Sequence, residues 1–151
     1  MASGNALALD EHPPYHATMI LGIGLDLVEL SRTGASLSRW GDRLVEKLMD
    51  PEEAARLPTL HPDPAHAIAF SIALKEAGSK AIGTGWSRGV RWRDVIVEPG
   101  PPMRVHMTHE ALRVARRLGS PEGATRAWLE TRGDLVLGEV WLLADGAEEV
   151  A

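Results

Sequence analysis

The sequence predicts an α+β fold: one domain in which an antiparallel sheet packs on a long buried helix. Three observations carry this. Residues 65–82 are apolar nearly all round as far as Leu74, the pattern of a helix enclosed by protein. Short strand-like runs rich in Val, Ile, Leu and Trp lie on both sides of it, at 20–30, 89–98 and 125–143. Turn signals such as "EPGPP" and Arg132-Gly133-Asp134 join several of them, in place of the regular strand–helix alternation of a parallel sheet.

Taken in order, residues 1–18 are polar, contain Pro13-Pro14 and show no period, and read as a flexible extension. "ILGIGLDLVEL" (20–30) suits a buried strand. Residues 36–48 read as one helix with Leu37, Trp40, Leu44 and Leu48 on its inner side, and Pro51 starts the short helix "PEEAARL". "PTLHPDP" is a proline-rich loop. The long helix ends at Gly83 and Gly85, where a C-terminal stop belongs. "GVRWRDVIVE" and "MRVHM" are strands, and Thr108 opens the helix "HEALRVARRLG". Two strands around Arg132-Gly133-Asp134 and an acidic tail (147–151) complete a domain expected over 19–146.

Composition narrows the function classes. The 151 residues, 44% hydrophobic and 25% charged, suffice for one core. No apolar run reaches the roughly 18 residues of a membrane span, and the N-terminus lacks a signal-peptide pattern. The absence of cysteine excludes disulfides and thiolate metal sites and makes a cytoplasmic location the default. A net charge of −5 argues against general nucleic-acid binding. Arg32, Arg39, Arg43 and Lys47 nevertheless crowd one region. They form a solvated face or a dock for an acidic partner.

Two stretches carry candidate chemistry. In a strand over 20–30, Leu21, Ile23, Leu25 and Leu27 share one face, a credible core face. The other face carries Gly22, Gly24, Asp26 and Val28, leaving space beside a carboxylate that needs a partner, a metal or water. In "ALKEAGSKAIGTG" (73–85), Glu76 and Lys80 continue an apolar helix stripe. Alone they form an ordinary surface pair. Together with Asp26, Glu76 could share a Mg²⁺ ion, while Lys80 meets a phosphate and the bare Gly83-Thr84-Gly85 turn admits an anion. Mn²⁺ suits the same ligands. His106 and His109 straddle a strand–helix junction without an HExxH pattern, a poor zinc site.

"ILGIGLDLVELSR" followed by "IALKEAGSKAIGTG" resembles the paired signatures of the holo-acyl-carrier-protein synthase type of 4′-phosphopantetheinyl transferase. The resemblance covers roughly residues 19–144 and implies a reaction: the phosphopantetheine arm of coenzyme A moves to a serine of an apo acyl carrier protein, releasing adenosine 3′,5′-bisphosphate. It implies that Asp26 and Glu76 hold the metal, that Glu76 and Lys80 are catalytic, and that Lys80, Gly83, Thr84 and Gly85 contact coenzyme A. It further implies that Arg32 approaches the carrier protein, with Arg39 and Arg43 beside it, and that the chain forms a homotrimer.

Some positions depart from the family pattern. Ser71 and Ile72 stand where arginine and an aromatic residue are usual, and "WLET" (128–131) stands where an S-x-[ST]-H motif is expected. His109, in the similar string "HMTHE", is a weaker candidate for the missing histidine's role. Two expectations follow, an active transferase or a non-catalytic module that binds coenzyme A or a carrier protein.

Overall fold

The computed structural model of the chain describes residues 19–144. The expected extension at 1–18 and the acidic tail at 147–151 lie outside the described residues. Strand β1 (Ile20–Glu29) runs directly into helix α1 (Leu30–Trp40), followed by α2 (Asp42–Leu48), α3 (Pro51–Ala55), α4 (Leu57–Leu60) and the long α5 (Pro64–Ala81). Strands β2 (Val95–Glu98) and β3 (Arg104–Met107), helix α6 (His109–Arg117), and strands β4 (Thr125–Arg132) and β5 (Leu135–Leu143) complete the fold. One antiparallel sheet has the order β1-β5-β4, and β2 pairs with β3 in a second. The α+β architecture with a buried central helix is as the sequence predicts. Among the described residues no helix is long and apolar enough to cross a membrane.

Glycines set the contact between α5 and the sheet. A Cβ at Gly24 would lie 1.8 Å from the Ala77 carbonyl oxygen, one at Gly22 2.0 Å from that of Ala81, and one at Gly138 2.6 Å from that of Ala73. Ala73, Ala77 and Ala81 recur every four residues, so one small-residue stripe of α5 rests on bare backbone. Leu74, Val95, Val105, Met107, Val140 and Leu142 fill the core around this contact.

That geometry reverses the expected facing of β1. The glycine-bearing face meets the helix, because only there can two backbones approach so closely. Leu21 reaches the core periphery, but Ile23, Leu25 and Leu27 are 53%, 51% and 63% exposed on the opposite face. They do not form the core face the alternation suggested.

Other boundaries differ for local reasons. The helix expected at 36–48 starts at Leu30, because Asp134 of the β4–β5 turn caps it from a distance. The Asp134 carbonyl accepts the Leu30 N–H (2.8 Å), and its carboxylate accepts the Ser31 N–H (2.9 Å) and hydroxyl (2.5 Å). The helix breaks at Gly41 (φ 50°), which leaves Trp40 half exposed. Residues 58–60 of the expected loop belong with Leu57 to a helical turn, and Trp92–Asp94 form a 3₁₀ turn, so that strand begins only at Val95.

Candidate active site

The site lies where β1 crosses α5. Asp26 follows Gly22 and Gly24 on the helix-facing side of the strand, so its carboxylate is turned toward α5. Lys80, in the last turn of that helix, donates to Asp26 Oδ1 at 2.7 Å and to the Leu25 carbonyl at 3.2 Å. The expected alternative of a Glu76–Lys80 surface pair is therefore not made. Lys80 reaches across to the strand instead.

Glu76, one turn earlier, is half buried, and its carboxylate has no hydrogen-bond or ion-pair partner among the described residues. It opens on a cavity of about 350 Å³ lined also by Leu27, Glu29, Arg32, Thr33 and Ile72. Leaving a partly desolvated carboxylate without a partner is unfavourable, and a cation entering from the cavity would relieve it. Asp26 and Glu76 offer hard oxygen donors of the kind Mg²⁺ or Mn²⁺ takes, so the donor set fits such an ion.

The turn after α5 is open and conformationally special. Gly83 and Gly85 adopt φ of 78° and 54°, and a Cβ at either would meet nothing within 4 Å. A ligand can approach this backbone closely. Its amides, however, already close the helix: Gly83 N–H donates to the Lys80 carbonyl (2.9 Å), and the N–H groups of Thr84 and Gly85 donate to the Ser79 carbonyl (3.3 and 3.0 Å). The C-terminal end of a helix also carries a negative partial charge, so an anion held here would depend on Lys80 rather than on an amide cradle.

Arg32 shares the cavity with Glu76, on the first turn of α1. Arg39 and Arg43 are exposed, but the break at Gly41 places them on separate helices, and the Arg39 guanidinium lies 4.9 Å from the centre of the Trp40 ring. His109 lies in a different cleft, with Trp86, Trp92 and Lys47. Its Nδ1 is 3.6 Å from buried Asp94, and its φ of 45° marks a locally strained helix start. His106 lies on β3 opposite Ile96, and no group of metal-ligating side chains among the described residues includes either histidine. Ser71 is buried with its hydroxyl unpartnered, whereas Ile72 lines the Glu76 cavity. Trp128–Thr131 lie on β4, with Trp128 exposed on the outer side of the sheet.

Two features escaped the sequence reading. Glu29 joins Glu76 as a second carboxylate lining the cavity, which Asp26 does not line, and was signalled only by lying in the "DLVE" string. Lys75, fully buried, spends its three protons on Glu53 Oε2 (2.9 Å) and on the Trp92 (3.1 Å) and Val95 (2.5 Å) carbonyls. Glu53 Oε1 accepts the Val97 N–H at 2.9 Å. Burial pushes the Glu53 carboxyl up and the Lys75 ammonium down, while each partner's charge opposes that shift. The full set of donors and acceptors fits the ionised pair. This clamp ties α3 and β2 to α5, immediately beside Glu76.

The chain is similar to known proteins in sequence and in fold. The profile of the family described as ACPS, 4′-phosphopantetheinyl transferase superfamily, matches residues 22–128. The holo-[acyl-carrier-protein] synthase of Desulfovibrio desulfuricans is 42% identical over 103 residues, covering 67% of this chain and 81% of its own. That of Citrobacter koseri is 41% identical over 103 residues, covering 66% and 80%. The crystal structure of the synthase from Neisseria meningitidis matches with a TM-score of 0.68 at 27% identity, over 82% of this chain and 98% of that one. The Helicobacter pylori synthase in complex with coenzyme A matches in fold, with a TM-score of 0.64 at 22% identity over 80% and 98%. With its two signature stretches meeting at one strand–helix crossing, and with a family match over most of its length, the chain belongs to the 4′-phosphopantetheinyl transferase superfamily.

Proposed function

We propose that this chain, through one domain spanning 19–146, transfers the 4′-phosphopantetheine group of coenzyme A to a serine of an apo acyl carrier protein. The observation that carries the reading is the unpartnered Glu76 carboxylate beside the Lys80–Asp26 ion pair. Asp26 and Glu76 would hold a Mg²⁺ or Mn²⁺ ion, which when bound neutralises charge on the pyrophosphate. Lys80 adds a point charge toward the same phosphates. Glu76 takes the proton as the serine oxygen bonds to the β-phosphorus. The bond from that phosphorus to the bridging oxygen breaks, and the electron pair leaves with adenosine 3′,5′-bisphosphate. Alignment of hydroxyl and phosphorus supplies much of the remaining rate.

Arg32 at the cavity mouth, with exposed Arg39 and Arg43, supplies positive charge for an acidic carrier. Gly83, Thr84 and Gly85 leave room for coenzyme A at the backbone. We extend the proposal to a homotrimer working in the cytoplasm in fatty-acid biosynthesis. The exposed Ile23, Leu25 and Leu27 support association with further copies. His109 lies outside the Glu76 cavity and is kept only as a residue that association could bring nearer.

A second reading, a coenzyme A- or carrier-binding module without turnover, is favoured by Ser71, which is buried where the family carries arginine. Incubation with an apo carrier protein, coenzyme A and Mg²⁺, followed by mass measurement of the carrier, separates the two. The transferase reading expects the mass of one phosphopantetheine on the carrier serine. An unmodified carrier under Mg²⁺ and Mn²⁺ alike leaves only the binding module.

A further inference from the structure

The junction of the preceding loop with the first turn of α5 reads HPDPAH, and it brings together three potential metal ligands that have no part in the transfer site. Ligand atoms of His61, Asp63 and His66 all lie within 4.8 Å of one another. The two imidazoles stack with centroids 4.4 Å apart, and Phe70 stands edge-on to both. His66 Nδ1 lies 2.6 Å from Asp63 Oδ2, and His61 Nδ1 accepts the Asp63 N–H at 3.0 Å. Pro62 and Pro64 bracket Asp63, restricting the backbone that carries it.

We propose that His61, Asp63 and His66 form a binding site for Zn²⁺, or a transition-metal ion of similar preference, separate from the Asp26–Glu76 junction. Two imidazoles and one carboxylate are a common zinc donor set, with a fourth position left to water. A tetrahedral ion about 2.0–2.2 Å from each ligand needs ligand atoms roughly 3.4 Å apart. The ligand atoms of the three groups, all within 4.8 Å of one another, lie near that spacing. A hard ion such as Mg²⁺ prefers oxygen donors and selects the other site.

Asp63 caps α5 by accepting the His66 N–H at 3.0 Å, and the positive partial charge of about half a unit at a helix N-terminus disfavours a cation. Asp63 places a full negative charge at the same point, and direct ligation outweighs a partial charge of that size. Capping and the His66–Asp63 contact already bring the carboxylate to the rings, and the proposal adds that the three donors, so gathered, can serve one ion.

The test is Zn²⁺ titration of the full chain by calorimetry in excess Mg²⁺, so that the carboxylate junction is occupied. The expected result is one tight equivalent per chain, a melting temperature raised by Zn²⁺, and an affinity at least about tenfold weaker in His61→Gln and in His66→Gln. Asp63→Asn keeps the capping acceptor while removing the charge, so it should also weaken Zn²⁺ binding at unchanged helix content. A His12→Gln/His16→Gln variant should retain the site. Equal Zn²⁺ affinity in the wild type and in His61→Gln/His66→Gln, or loss only in His12→Gln/His16→Gln, overturns the proposal.

Discussion

Lys80 ignores the carboxylate one helical turn away and pairs with Asp26, 54 residues upstream. Its ammonium therefore holds the strand acid, and Glu76 is left to face the cavity. Glu76→Gln removes that charge with almost no change of shape. It is expected to lower transfer by more than about 100-fold while the melting temperature stays within a degree or two, as activity and thermal assays would show. Lys80→Met should lower turnover and release Asp26 from its partner. Its effect on stability should be small, since Lys80 is half exposed.

At Asp63 the hydrogen bond to His66 holds the carboxyl below its ordinary 3.8. A depressed acid contributes stability above its unfolded value and loses it as pH falls through the folded one. With chelator present, the stability gap between wild type and Asp63→Ala should shrink as pH falls below 3.8. A gap that widens below pH 3.8 would refute that assignment. The identities of Asp26, Glu76 and Lys80 were legible as motif residues. Which pair of charges joins was not, because local spacing favours Glu76–Lys80 and only the strand crossing offers Lys80 a second acid.

Elements meet here through features that alternate sequence patterns encode ambiguously. Either face of β1 could have been the core face: one carried leucines, the other glycines beside an acid. The deciding factor is the approach of α5, whose alanine stripe needs partners without a Cβ. Gly24→Ala pushes a methyl into the Ala77 carbonyl, which cannot swing away, and is expected to destabilise by about 3 kcal/mol or more in denaturant titrations. The long helix was readable because its apolar character is continuous. The start of α1 was not, since its capping carboxylate, Asp134, lies 103 residues away. The Lys75–Glu53 clamp was equally hidden, since Glu53 in a short polar helix shows no sign of burial until α3 docks on α5. Glu53→Gln should cost about 3–5 kcal/mol by stranding a buried ammonium. The double variant Glu53→Leu/Lys75→Met should recover much of that loss, because an apolar pair leaves no buried charge.

Across the whole molecule, the three-stranded sheet has two unlike sides. Toward α5 lie the glycines, Asp26 and the core. Ile23, Leu25 and Leu27 lie on the other side, with Trp128 and Trp141 in ring contact at 4.7 Å. Such a patch on a chain of this size is unfavourable in water and matches the proposed association. Leu25→Glu should yield monomers by light scattering. A wild type that is itself monomeric at the same concentration would remove the association reading. The leucines thus remain residues that seek burial, but among the described residues Leu25 and Leu27 stay exposed. Strand β1 carries the proposed metal-binding acid, Asp26, on one face and the exposed Ile23, Leu25 and Leu27 of the proposed association surface on the other, in one stretch of ten residues. A single residue gained or lost inside that stretch would exchange the two sides, turning leucines onto the helix and the acid into solvent. Both roles would then fail together, so the length of this strand is far less free to vary than its composition.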